Sequence, residues 1–233
     1  MPMAAGEVRQ ALRELDDLRY SAGSLDEALR RIVLATHRLF AVDGAGLMLL
    51  DPEQLLRNIA VSDQRVDHLE DLQIQHGEGP CVDAFEDKTL VDAADLANED
   101  RWPSFSPAAA GRGLRAVLAS PIPYNQHAIG VVAVFSAKAR PWSPEGELAL
   151  VTFTDLAALC IANTMASQER GEVAEQLQRA LDARVVIEQA KGALIARDGL
   201  TERDAFERLR RQARRQRRPV ADVAAEVMAT ARP

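Results

Sequence analysis

The stretch VVIEQAKGALIARDGLTERDAFERLRRQARRQRR, Val185–Arg218, starts as an amphipathic segment and ends with six arginines in nine residues. It lies in a chain of 233 residues whose formal net charge is −7. From Arg170 onward there are 14 Lys/Arg against 10 Asp/Glu, whereas the first 169 residues hold 14 basic and 25 acidic residues. Such a split marks a basic module joined to an acidic body that repels polyanions.

Three helical segments fit the basic part. The first runs to about Arg197 and carries Leu177, Leu181, Ile187, Ala190 and Leu194 at helical spacing, with Gly199 placed to end it in the left-handed region. Thr201 caps the second, with Asp204 three residues on in a capping-box role, and its apolar face is Ala205, Phe206, Leu209 and Ala213. Pro219 is expected to end that helix by forcing Arg218 out of the α region, and to open a third helix bearing Val220, Val223, Ala224, Val227 and Met228. Around the second helix, Arg208, Arg211, Arg215 and Arg218 fall opposite the apolar face, while Arg203, Arg210, Arg214 and Arg217 line its flank. Between Thr201 and Arg218 there are eight arginines and three acids, so a folded helix presents concentrated positive charge. The planar guanidinium fork suits phosphate oxygens better than a lysine does.

The segment from Ala180 to Met228 resembles the ANTAR domain, a three-helix RNA-binding module of bacterial transcription antiterminators. Its most specific parts are AKG at Ala190–Gly192, Arg184, and DVA at Asp222–Ala224. The resemblance implies a dimeric regulator that binds paired hairpins in nascent transcripts and stabilises an antiterminator over a terminator. It implies RNA contacts from Arg184, Gln189, Lys191 and Gly192 on the first helix, and backbone contacts from Arg210, Arg214 and Arg217 on the second. Gly192 has two readings, a close approach of RNA or a helix–helix crossing. Gln189 either reads a base edge or is simply exposed, and Phe206 is assigned to the core. The chain departs from the family at Ile195, where Met is commoner, and in the arginine richness of RRQARRQRR. The second departure leaves room for a less selective polyanion component.

Upstream, Ser24 and Glu27 open a helix that carries Leu25, Leu29, Ile32, Val33 and Phe40 towards a core. AGLMLL and RNIAVSD read as a hairpin, and RAVLASPIPY and AIGVVAVFSA as two further strands. The middle, from His76 to Pro107, reads as loops and irregular helices. Ser143 caps, and Pro144 begins, a helical run that reaches Arg197 as one helix or two. The order implies an α+β fold, an antiparallel sheet with helices on one side. GEGPCVDA, DLANEDRWPSF and GLRAVLASPI followed by AIGVVAVFS resemble the GAF domains of bacterial regulators, over Leu25 to Ala166. The resemblance implies an antiparallel sheet flanked by helices and a small ligand held against the sheet. Candidate pocket residues are Cys81, Asp92, Asp95, Arg101, Trp102 and Phe105. A simpler account gives Trp102 a packing role and pairs Arg101 with Asp95 or Asp100. Cys81 is either a reactive thiol at a helix start or a buried structural one.

The expected organisation is an N-terminal helix within 1–23, a GAF sensor over 24–166, a helical linker over 167–179 and the ANTAR module over 180–230. A heptad puts Leu159, Ala166, Val173, Ala180, Ile187 and Leu194 at one seam position. Leu156, Asn163, Arg170, Leu177, Arg184 and Lys191 stand at the other, so the coiled coil, expected to form a homodimer, is weak. Two cysteines and four scattered histidines suggest no metal and no cofactor, and no nucleophile elbow, Walker loop or HExxH occurs. No enzyme activity and no membrane partner are expected, and the location expected is cytoplasmic.

Overall fold

The computed structural model describes residues 24–166 and 172–230. The expected N-terminal helix within 1–23 lies outside them. Two compact units result, the larger built on a sheet and the smaller on the C-terminal helices.

In the larger unit α1 (Leu25–Phe40) is capped by Ser24, whose hydroxyl accepts from the Glu27 N–H at 3.4 Å. It ends at Ala41 in the left-handed region. β1 (Gly44–Leu50) and β2 (Leu56–Val61) follow, then α2 (Gln64–His76), α3 (Pro80–Asp87), β3 (Val91–Ala93) and α4 (Phe105–Gly111). The long strands β4 (Ala116–Tyr124) and β5 (His127–Ser136) precede α5 (Pro144–Ala166). The five strands lie in the order β2-β1-β5-β4-β3. Antiparallel registers pair Ala45 with Val134 and Leu118 with Val134, so β5 is the central strand.

Helices cover both faces of this sheet, not one. Strands buried on both sides read as unbroken apolar runs, and every residue of β1 is buried. Period-two alternation assigns the faces. Met48, Val117, Ala119, Val131, Ala133 and Phe135 join a core with Val66, Leu69, Cys81, Trp102 and Phe105 from the α2–α4 layer. The opposite side of β4 meets α5, where Ser120 Oγ lies 3.3 Å from Thr154 Oγ1. By length and composition Pro144–Met165 is long and apolar enough to cross a membrane. Here its Leu150, Phe153, Ala157 and Ile161 are buried, while Leu148 and Leu159 remain 68% and 56% exposed.

The smaller unit holds α6 (Glu172–Asp198), α7 (Glu202–Gln216) and α8 (Val220–Thr230). Gly199, at φ 66°, ends α6, and its N–H donates to Ile195 O at 3.0 Å. Thr201 caps α7 by accepting from the Asp204 N–H at 3.1 Å. The second helix stops earlier than proline chemistry alone requires. Arg217 already takes φ 53°, and the Arg218 N–H donates to Ala213 O, a Schellman-like end reached before Pro219 acts. Ile187, Ala190, Leu194, Ala205, Leu209, Ala213, Val220, Val223 and Ala224 form the core of the bundle. Ile187 and Leu194 are therefore used inside the module, which takes them from the coiled-coil seam. Ile195 is 37% exposed, so it does not pack in that core.

Candidate nucleic-acid interface and sensor core

On α7 the apolar face turns inward, which drives the arginines outward. Arg208, Arg211, Arg214 and Arg215, with Leu200, Asp204 and Gln212, line an open depression of about 920 Å³. Several of the basic groups are neutralised in place. Arg208 pairs with Asp198 at 2.6 Å, Arg210 with Glu207 at 3.0 Å, and Arg218 with Glu226. Arg203, Arg211, Arg214, Arg215 and Arg217 are exposed, with no ion pair among the described residues. Of the three arginines singled out by resemblance, Arg214 and Arg217 are thus open, while Arg210 is half-buried and paired. Arg211 and Arg215 belong to the open set as well. Helical geometry places them on the outer face, but the family motif does not single them out.

The first-helix candidates have a different setting. Lys191 is 8% exposed, and its Nζ donates to both Glu188 oxygens at 3.0 and 2.9 Å and to Glu202 Oε1 at 2.8 Å. Arg184 is half-buried beside it; burial pulls its guanidinium pKa down, while Glu188 and Glu202 push it back up. Phe206 is half-buried rather than wholly in the core. Its ring centroid has Lys191 Nζ at 5.9 Å and Arg210 Cζ at 5.7 Å, within cation–π reach. Gln189 is exposed.

Gly192 is also exposed, and a Cβ built there meets no atom within 4 Å. No helix crossing among the described residues requires this glycine. Gly192→Ala is expected to stabilise the bundle by about 0.5–1 kcal/mol through helix propensity. A thermal melt followed by circular dichroism checks this.

In the sensor domain GEGPC is an architectural unit. Gly77, at φ 65°, ends α2; Glu78 Oε1 accepts from the N–H groups of Ser104 and Phe105 at 2.5 and 3.0 Å; Gly79, at φ 136°, leads into Pro80 at the start of α3. The six pocket candidates are brought together only in part, with Arg101 Nη2 donating to Asp92 O at 2.5 Å. Cys81, Trp102 and Phe105 lie in the core. Trp102 Nε1 donates to Asp83 Oδ2 at 2.8 Å, and its ring meets Phe105 edge-on at 6.1 Å. Asp92, Asp95 and Arg101 stand at the periphery. Arg101 pairs with Glu99 at 2.6 Å, rather than with Asp95 or Asp100, and covers the Trp102 ring at 4.4 Å. Asp95 pairs with Arg115 at 2.7 Å, a bond that holds its carboxyl below the usual range despite a smaller opposing effect of burial. Burial pushes the Cys81 thiol well up, with Glu70 adding to the effect and the Gln73 side chain opposing it.

Two residues outside the sequence motifs stand out. Glu70 and Gln73 on α2 are fully buried. Burial, then Asp67 and Asp71, raises the Glu70 carboxyl well above its ordinary 4.5. A raised folded-state pKa gives stability that is complete below the unfolded value and is lost as pH rises through the folded one. Wild type should therefore lose stability relative to Glu70→Gln as pH rises above about 4.5. Urea midpoints measured between pH 4 and 8 would show the two curves diverging.

An antiparallel sheet between two helical layers is thus followed by a three-helix module with an arginine-loaded second helix. Family models match a GAF domain over residues 24–161 and an ANTAR domain over residues 175–228. The chain belongs to the GAF family and carries an ANTAR domain as its output. No curated protein sequence matches it. Among solved structures, the GAF domain of Acinetobacter phosphoenolpyruvate-protein phosphotransferase aligns with TM-score 0.57 at 20% identity, covering 72% of this chain and 99% of that one. Its Coxiella burnetii counterpart gives 0.55 at 19%, covering 70% and 96%. The free methionine-R-sulfoxide reductase of Neisseria meningitidis, solved with its substrate, gives 0.53 at 14%, covering 67% and 90%. At these identities the likeness shows the fold alone.

Proposed function

We propose that this protein is a cytoplasmic RNA-binding antitermination regulator, in which the GAF domain controls an ANTAR module that grips hairpins in nascent transcripts. The supporting observation is the set of five exposed arginines on and just after α7 that carry no ion pair among the described residues. In this reading the sensor spans 24–166, the linker 167–179 and the RNA-binding module 180–230. Arg214 and Arg217 take phosphates, joined by Arg203, Arg211 and Arg215. Gly192 leaves a bare stretch of helix for the RNA backbone, with Gln189 beside it. Arg184, Lys191 and Arg210 act from their carboxylate-braced positions, orienting the binding surface more than supplying free charge.

Two copies bind two hairpins together, and the exposed Leu148 and Leu159 on α5 favour self-association. Phosphate and shape recognition suits this surface better than stacking, because Phe206 is only half-exposed and braced by two cations. The test is binding of full-length protein to tandem RNA hairpins and to a DNA duplex of equal length, at physiological salt. Preference for the hairpins by tenfold or more is expected. Equal binding would make the arginine surface a general polyanion site and remove antitermination as the function.

A further inference from the structure

Helix α2 carries an ionisable group into the interior of the sensor domain. Val66, Leu69, Glu70 and Gln73 form its buried stripe, so a carboxyl occupies a position where helical periodicity calls for an apolar side chain. Glu70 is fully buried, and neither carboxyl oxygen has a hydrogen-bond partner among the described residues. The side chain lies against Gly46 of β1, where a Cβ would stand 1.9 Å from Glu70 Oε1. The carboxyl thus fills the space that a side chain at position 46 would need.

The ionisable groups facing Glu70 are all of its own sign. On α2 itself Asp67 and Asp71 act on it. Asn58 of β2 holds both, with Nδ2 2.9 Å from Asp67 Oδ1 and 3.4 Å from Asp71 Oδ1. On α3 the Cys81 thiol faces it, while Asp83 is taken up by the Trp102 indole. Arg57 of β2 is exposed, and α4 contains no ionisable side chain. A carboxylate buried without a counter-charge is so unfavourable that the group either stays protonated or leaves the interior.

We infer that Glu70 is a proton-operated latch of the sensor domain. Protonated, it keeps α2 packed on β1; ionised, it leaves the core and draws the C-terminal turns of α2 outward. Burial, then Asp67 and Asp71, raises the carboxyl above its ordinary range, so the packed form prevails at low pH and is lost as pH rises through the raised value. Gln73, three residues on, moves with the helix. Its Oε1 accepts from the Cys81 N–H at 2.7 Å, so withdrawal of α2 breaks that bond and loosens the start of α3. Cys81, fully buried in the packed form, then meets solvent. The inference stands apart from the RNA reading and fails or survives independently of it.

The test is alkylation of the full chain by N-ethylmaleimide from about pH 5 to 9, with each cysteine read by mass spectrometry. Cys160, part-exposed on α5, corrects for the general rise of thiolate with pH. The ratio of Cys81 to Cys160 modification should rise about tenfold or more across this range in wild type, as the open fraction of a one-site titration does. Glu70→Gln, neutral and of the same shape, should keep the ratio low at every pH. Gly46→Ala, whose methyl group takes the place of Oε1, should give a high ratio even at the acid end. Circular dichroism checks that each variant is folded. If Gly46→Ala does not fold, wild type against Glu70→Gln decides; if Glu70→Gln does not fold, Glu70→Met replaces it. The inference is overturned if the wild-type ratio does not change with pH, if the neutral variant follows wild type, or if folded Gly46→Ala stays unreactive in acid.

Discussion

Replacing Arg211, Arg214 and Arg215 together by alanine should lower affinity for a tandem RNA hairpin about a hundredfold at physiological salt, with the fold unchanged. The magnitude follows from counterion release. Each phosphate contact contributes about 0.7–0.9 to the slope of log K against log salt, so three lost contacts remove about two units of slope. All three side chains are exposed and none has an ion pair among the described residues, so their removal leaves no stranded carboxylate. Arg208→Ala makes the comparison sharp, because that side chain is already held by Asp198 at 2.6 Å. It should cost severalfold at most. Fluorescence anisotropy across a salt series reads both affinity and slope, and an unchanged slope in the triple variant would place the RNA elsewhere.

The largest stability effect belongs to Trp102. Its side chain is among the largest fully buried ones, packed with Phe105 and Phe135 in the core beneath the sheet. Trp102→Ala should cost about 3–5 kcal/mol, since the cavity lies where the backbone cannot collapse into it. It also strips Asp83 of the indole donor and Arg101 of the ring beneath its guanidinium. Trp102→Phe should cost less, keeping the ring packing and losing the hydrogen bond. Urea denaturation of both variants measures the difference. A loss below 1 kcal/mol for the alanine variant would contradict the packing role assigned to this residue.

The elements with strong periodicity were legible in the sequence. β4 and β5 are apolar runs between turns, α1 and α7 carry Ser24 and Thr201 as caps, and the arginines of α7 segregate from Leu209 and Ala213. What escaped is what depends on three-dimensional company. α2 is polar along most of its length, and the apolar positions on its buried stripe, Val66 and Leu69, are followed by a glutamate and a glutamine that disguise the face. β3 is three residues long, too short for any period. The same limit holds at the sites. Position on a helix wheel showed which arginines point outward, but not that Lys191 is clasped by Glu188 and Glu202, which lie three residues behind it and eleven ahead. Nor does spacing show that Asp95 is engaged by Arg115, twenty residues away.

The bond between Gln73 and the Cys81 amide also bears on the order of folding. Gly79 precedes α3 and has no side chain with which to satisfy the donors of the first turn, so that task falls to a residue eight positions upstream on another helix. The first turn of α3 is thus complete only when the last turns of α2 are in place, and the pair should open to solvent as one unit. Hydrogen exchange at the Cys81 amide then reports on the neighbouring helix. Gln73→Ala should speed that amide while leaving those in the middle of β5 protected.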